Sequence, residues 1–434
     1  MSSCLKETVE RPDGGSRVGG KRPGGSIPAV LGSASKGYRS GTHRTCSPAQ
    51  TVAAVKPRMA DFGITRVADV TGLDCVGLPV FMAVRPNSRA VAVTQGKGIT
   101  RDAAVASALM EAVEHWHCER VEVPLVYDSY TSLCRRARAV DVRRLPLRRS
   151  AVLELSYPLL WAEAAELMTG EPIWVPFEYV STNFVGPDRA GMTFLASSNG
   201  LASGNHRLEA IAHGLCEVIE RDCYALWCAC GGSGQAGTRV DLMTVHDPTV
   251  QGLLSQLSAA RVLVAVWDIT GDTGVPAFLC QLVDHPHMPR GEALGVFGGS
   301  GCHLDAVVAL LRALTEAVQS RLTSIAGSRD DMFHYETKAN LDDVRAVAEV
   351  AQRPADKVFS GVDLSGETFE EDVACLGAAL ARIGVDDVAV VDLTRPQVGI
   401  PVVKVVAAGL EAEPDMAGNY VAGERAIAAA AGCM

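Results

Sequence analysis

The 434-residue sequence contains no uninterrupted apolar run of about 18 residues, the length at which a membrane-spanning helix becomes a candidate. Nor does it start with the apolar segment of a secretory signal. It therefore reads as a chain with no membrane partner. Its 13 cysteines include no C-x-x-C pair, which removes the usual zinc-ribbon and thioredoxin-type readings. An odd, scattered set of thiols predicts reduced cysteines and a cytoplasmic location. Cys228-Ala-Cys230, beside Trp227, is spaced poorly for zinc and reads as core. In His115-Trp-His117-Cys118 the two imidazoles point to different sides of a helix, so zinc is disfavoured there too. No G-x-x-x-x-G-K-[ST] string is present, which excludes a P-loop. No Cys-His or Ser-His arrangement offers a covalent nucleophile. Basic charge is also short: the net charge is −10, which argues against nucleic acid as a partner. Residues 1–45 hold eight Lys or Arg against three Asp or Glu, leaving −15 for the remainder. The Gly- and Ser-rich stretch 1–35 reads as a flexible basic tail ahead of a folded body over 36–434.

What the chain does have is one heptad written three times. Ala108-Leu-Met-Glu-Ala-Val-Glu114, Gly214-Leu-Cys-Glu-Val-Ile-Glu220 and Ala313-Leu-Thr-Glu-Ala-Val-Gln319 each follow a glycine-rich lead-in, at Gly96–Gly98, Asn199–Gly204 and Gly298–Gly301. Residues three apart share a helix face, so Glu111 with Glu114, Glu217 with Glu220, and Glu316 with Gln319 form forked polar pairs. A single such pair is ordinarily a solvated surface. Three copies in helices otherwise rich in Ala, Leu and Val are not explained by solvation.

Periodicity and caps place the three glutamate helices at about 101–120, 207–229 and 304–326. An earlier helix capped by Ser47 or Thr51 runs to Met59, and a later one lies within 368–383. Strands are predicted at 64–70, 80–85, 90–95, 159–162, 173–176, 262–268, 277–283, 388–392 and 402–406. Without strict βαβ alternation, this order predicts an α+β or mixed α/β fold with antiparallel sheet. Seven arginines between Arg135 and Arg149 read as a solvated face, the sharper alternative being a docking surface for an acidic partner.

Carboxylates converging from separate helices repel one another unless a divalent cation neutralises them. Magnesium, hard and oxygen-seeking, suits a few carboxylates plus substrate phosphates. The glycine-rich lead-ins would let backbone N–H groups and helix N-termini approach a phosphate, with Lys97 and Arg321 balancing its charge. The residues thus point to an enzyme that uses magnesium and a nucleotide through a non-Walker site.

Taken in order, Ser107-x-x-x-Glu111-x-x-Glu114, Asn199-Gly-Leu-Ala-Ser-Gly-Asn205 leading to Glu209, Glu217 and Glu220-Arg221-Asp222, and Arg312-Ala-Leu-Thr-Glu316-x-x-Gln319-Ser-Arg321 resemble the YcaO family. The resemblance covers roughly 36–410 and implies a YcaO-like fold and ATP-dependent activation of a peptide backbone amide. Under it Glu111, Glu114, Glu217 and Glu220 correspond to magnesium ligands and Asn205 and Glu209 to nucleotide contacts. Ser107, Ser203 and Arg221 join the nucleotide side, Ser203 standing next to an Ala202 where the family has Ser. Gln319 and Arg321 fall on the phosphate side. Lys36-Gly-Tyr-Arg-Ser-Gly-Thr-His-Arg44, Gly63–Gly72 and Arg85-Pro-Asn-Ser88 further resemble the TfuA-associated branch, which is linked with thioamide formation. Ring-forming members end in a Pro-x-Pro-x-Pro tail, whereas this sequence ends Ala-Ala-Ala-Gly-Cys433-Met434. The resemblance implies a precursor peptide or protein as substrate, a TfuA-like partner and a source of sulfide. Azoline formation and a non-catalytic nucleotide-binding scaffold are the alternatives, and the sequence leaves a homodimer open.

Overall fold

The computed structural model describes residues 32–185, 192–285, 294–329, 340–414 and 419–433. Two copies of one unit, a three-stranded antiparallel meander followed by a glutamate helix, form much of the body. In the first, strands Arg66–Asp69, Val80–Val84 and Val93–Lys97 lead into helix Arg101–Cys118; in the second, Val262–Asp268, Ala277–Asp284 and Phe297–Cys302 lead into helix Ala306–Ala326. The glycine lead-ins are thus parts of strands. A Cβ at Gly96 would overlap the backbone of Ala104 and Ala108, and one at Gly301 the backbone of Ala309 and Ala313. Each glycine lets its strand lie directly on the helix that follows. Close strand–helix packing accounts for these glycines, and the first turns of the helices are capped by Thr100, His206 and Asp305 side chains.

The second glutamate helix, Arg207–Ala229, follows the short strand Leu201–Ser203 at one edge of an antiparallel sheet. That sheet continues through Val402–Ala407, Val388–Asp392, Pro158–Glu166 and Leu125–Ser129, with Pro172–Pro176 paired to Pro158–Glu166. Alternation along its central strands fills both faces. Val388, Val390, Val403 and Val405 pack with the second glutamate helix and with helix Phe369–Arg382. Ala389, Val391, Val402 and Val406 pack with the first glutamate helix. The sheet therefore lies between two of the three heptads, while the third sits in a core shared by the two meanders.

The predicted α+β architecture with antiparallel sheet is the observed one. Residues 1–31 of the proposed tail lie outside the described residues, but Ala34 and Ser35, assigned to its end, already belong to the body. Ala34 is buried and donates its N–H to Glu370, and Ser35 bridges to Thr368. The arginine-rich segment is tied into its own fold: Arg136 binds Asp128, Arg138 binds Asp387 and Arg143 binds Asp141. These contacts favour the surface reading over a free docking patch. The expectation of reduced thiols throughout is corrected at the C-terminus, where Cys230 and Cys433 form a disulfide. Helix Glu424–Cys433 packs against the second glutamate helix and brings together two cysteines 203 residues apart.

Candidate active site

The heptads converge. Burial raises the carboxyls of Glu111 to about 7, Glu114 to about 8 and Glu217 to about 7. Each is pushed up further by carboxylate neighbours: Glu111 by Glu316 and Glu217, Glu114 by Glu111 and Glu217, and Glu217 by Glu220. Glu114 accepts bonds from the Ser203 backbone N–H (2.8 Å) and hydroxyl (2.7 Å), and Glu217 accepts one from the Gly200 N–H (3.3 Å). Glu220 is buried and accepts a bond from the Ser300 hydroxyl at 2.7 Å, while its Oε2 has no partner among the described residues. Glu316 behaves differently: burial pushes it upward, but Lys97, whose Nζ stands 2.6 Å away, and Arg221 hold it down at about 2. Arg221 stands 3.4 Å from Glu220 and donates to Ser300 at 3.2 Å. Gln319 donates to the Gln95 carbonyl (3.1 Å) and leaves its own buried Oε1 unpartnered among the described residues.

This set fits a divalent cation bound together with phosphate. It is all oxygen, it carries excess negative charge, and it retains an orphaned buried carboxylate oxygen on Glu220. Among the described residues no three His, Cys, Asp or Glu side chains are grouped closely enough to hold a metal alone. Magnesium, which takes only one or two carboxylates and completes its shell with phosphate and water, matches that spacing better than a resident structural ion.

A second cluster adjoins the first through Arg312. Glu209 accepts bonds from Thr45 N–H and hydroxyl (2.8 Å each) and from Asn205 (3.1 Å), and Asn205 accepts one from Thr51 (2.8 Å). Glu209 lines a cavity with His43, Arg44, His213, His303 and Arg312, closed on its apolar side by Phe369 and Leu376. Burial lowers His43 to about 4 and keeps His213 and His303 well below the usual imidazole range, so all three are neutral beside the two guanidiniums. Arg312 touches His213 (3.2 Å) and is held charged against its own burial by Glu220, Glu316 and Glu217. The Lys36–Arg44 motif builds one wall here. Lys36 is buried on Asp372 (2.7 Å), Tyr38 bridges back to Arg44, and His43 and Arg44 are thereby presented to the cavity. Of the two remaining motifs, Arg85–Ser88 is structural: Arg85 makes two buried bonds to Glu119 (2.7 and 3.1 Å), fixing the end of the first glutamate helix.

Of the residues singled out in the sequence, the structure brings Lys97, Glu111, Glu114, Ser203, Glu217, Glu220, Arg221 and Gln319 to or beside the carboxylate centre. Asn205 and Glu209 fall in the adjoining cluster. Ser107 lies one turn before Glu111 on the same helix. Arg321 is not part of the centre. It is buried between Asp74 and Asp284, at 2.9 Å from each, with its guanidinium over Phe297. Five positions beyond Glu316, it projects from a different side of the helix. Ser300, hidden in a glycine-rich strand, and Arg312, present only as the motif's first letter, join the site without having been singled out in the sequence. So does Lys404, fully buried, bonded to the Ser197 carbonyl at 2.6 Å and within electrostatic reach of Glu217. A lysine inside Val402-Val-Lys-Val-Val-Ala407 was a readable signal, because buried lysines are rare without a partner.

Residues 95–411 match the family model described as YcaO cyclodehydratase, ATP- and Mg2+-binding. The chain therefore belongs to the YcaO family, whose members bind ATP and Mg2+. Relatives extend over nearly its whole length. A protein of Rhizobium leguminosarum bv. trifolii, described as uncharacterized and lying in the tfuA 3′ region, is 37% identical over 397 residues, covering 88% of this chain and 92% of its own. An uncharacterized protein of Methanothermobacter thermautotrophicus is 36% identical over 384 residues, covering 86% and 97%. Among solved structures, the YcaO of Methanopyrus kandleri bound with AMPPCP and Mg2+ superposes with TM-score 0.68 at 22% identity, covering 90% of this chain and 99% of that one. A heterocyclase in complex with substrate and cofactor gives TM-score 0.71 at 21% identity; this chain spans 88% of itself and about half (54%) of that chain. The structural likenesses establish the fold.

Proposed function

We propose that this protein activates a backbone amide of a peptide by ATP-dependent phosphorylation of the amide oxygen and converts it to a thioamide. The observation that carries the reading is the convergence of the three heptads on one set of buried, mutually repelling carboxylates. Its relative in the tfuA 3′ region and the cavity wall built by the Lys36–Arg44 motif support the thioamide branch. Glu111, Glu114, Glu217 and Glu220 would hold magnesium, which supplies charge neutralisation at the transferred phosphoryl group. Lys97 and Arg221 add fixed positive charge there, and Arg312 spans the distance to Asn205 and Glu209, which face the nucleoside. A hydrosulfide ion adds to the amide carbon, the resulting oxyanion takes the γ-phosphoryl group with ADP leaving, and phosphate departs as C=S forms. No protein nucleophile is needed. The nucleophile's sulfur comes from outside the chain, through a TfuA-like partner in this reading.

The test uses each short peptide encoded beside the gene, incubated with protein, partner, ATP and magnesium, with and without sulfide. A sulfide-dependent mass gain of about 16 Da with ADP released in step supports the reading, whereas a sulfide-independent loss of about 18 Da would replace it with ring formation.

A further inference from the structure

The three heptads do not account for every carboxylate at the site. After strand Val402–Ala407 the chain crosses the second glutamate helix, and there the Glu411 N–H donates to Asp222 at 2.9 Å. Asp222 is itself held by two bonds from Arg425 (2.9 and 2.7 Å), and the Glu411 carboxylate accepts from the Ala426 N–H at 2.9 Å. Both acids are buried, so this lock fixes the path of the chain just before Glu413. The Glu413 carboxylate stands 3.3 Å from Nη1 of Arg221, the same nitrogen that Glu220 approaches at 3.4 Å, and its side chain is 50% exposed. It thus occupies the open lip of the centre, one side chain away from a proposed magnesium ligand. Glu114, Glu217 and Glu316 are engaged by Ser203, Gly200 and Lys97, and Glu220 gives one oxygen to Ser300 and keeps the other for a cation. Among the described residues Glu413 has one ion-pair partner, Arg221, and half of its side chain is open to solvent.

We propose that Glu413 is the base that removes the S–H proton when the thioamide forms. The proposal rests on the thioamide reading above. Once sulfur is bonded to the former amide carbon and the oxygen carries the phosphoryl group, the S–H proton passes to the Glu413 carboxylate. The S–H electron pair becomes the second C=S bond, and the C–O bond breaks with its pair leaving on phosphate. No redox change occurs. Rotation of Arg221 toward the phosphates frees Glu413 for this role, so the nucleotide-free ion pair stores the base beside the site.

The experiment compares full-length wild type with Glu413→Gln and Glu413→Asp, using the flanking peptide that wild type converts, sodium hydrosulfide and MgATP. Half-exposed Glu413 can be changed without unfolding the chain, which a melting curve checks. The expected result is a drop of about a hundredfold in kcat for thioamide in Glu413→Gln, partial retention in Glu413→Asp, and KM for MgATP within about twofold of wild type. AMPPCP–Mg2+ titration should give the same affinity for all three proteins. Wild-type kcat in Glu413→Gln overturns the proposal. A lowered KM for MgATP with unchanged kcat also overturns it, leaving Glu413 as a mere counterion that Arg221 must shed. Should wild type itself show no sulfide-dependent mass gain with any flanking peptide, the thioamide reading fails first and the base assignment goes with it.

Discussion

When ionised, Glu111, Glu114 and Glu217 are held in an unfavourable state that a proton or a bound cation relieves. Changing Glu217 or Glu114 to Gln should therefore lower magnesium-dependent ATP turnover by at least about a hundredfold, while the nucleotide-free melting temperature stays level or rises because a buried repulsion has gone. Turnover and thermal melts on the same preparations check both halves. Arg321→Ala separates the structural reading from the motif-based one. Removing the guanidinium strands Asp74 and Asp284 at a cost of about 3–5 kcal/mol, so denaturant midpoints should fall sharply. A variant with normal stability but no turnover would return Arg321 to the phosphate. The glutamates were legible because three apolar helices repeat a pair that apolar helices rarely carry. Arg321 was misplaced because motif spacing says which helix a residue is on, but its direction is set by neighbours such as Asp74, 247 positions away in sequence. Glu413 was silent, since nothing local distinguishes it from any surface glutamate.

Among the elements, helix Arg207–Ala229 and strand Val262–Asp268 fall where periodicity places them. Strand Phe297–Cys302 shows in the sequence only as a glycine-rich lead-in because Phe-Gly-Gly-Ser-Gly-Cys lacks the side chains that mark strands. Those absences are what the helix behind it requires. Replacing Gly96 or Gly301 by Ala should consequently destabilise the fold by about 1–3 kcal/mol or more, measurable as a shift of the urea midpoint at constant slope; an unchanged midpoint would mean that strand and helix can part freely. Helix Pro248–Ala259 went unread although Asp247 and Pro248 form a standard cap and first position. Helices Leu341–Gln352 and Glu424–Cys433 were also missed. The second of these is Ala-rich and shows little periodic contrast.

For the molecule as a whole, the raised carboxyls couple stability to pH. Glu111, Glu114 and Glu217 hold their protons to about pH 7–8 in the fold, whereas in the unfolded chain they release them near 4.5. Between those values the native state binds more protons, so stability falls as pH rises, and above about 8 the full penalty is present. Glu316 works the other way, adding stability above 4.5 that is lost as pH falls toward 2. The nucleotide-free melting temperature should decline from pH 5 to 8, and MgATP should flatten the decline. Its binding near pH 6.5 should expel protons, seen by calorimetry in two buffers of different ionisation heat. A flat melting profile with no proton release would show that the carboxylates are not coupled.

Strands that touch the helix backbone at Gly96 and Gly301 leave no compressible layer of side chains between sheet and helix. The glutamates are in effect mounted on a chassis without suspension. Sliding or tilting a heptad to meet its ligand would require dragging an entire meander, so adjustment is confined to torsions of the carboxylates and guanidiniums themselves. Loading and unloading the site should then be fast and nearly silent in the backbone.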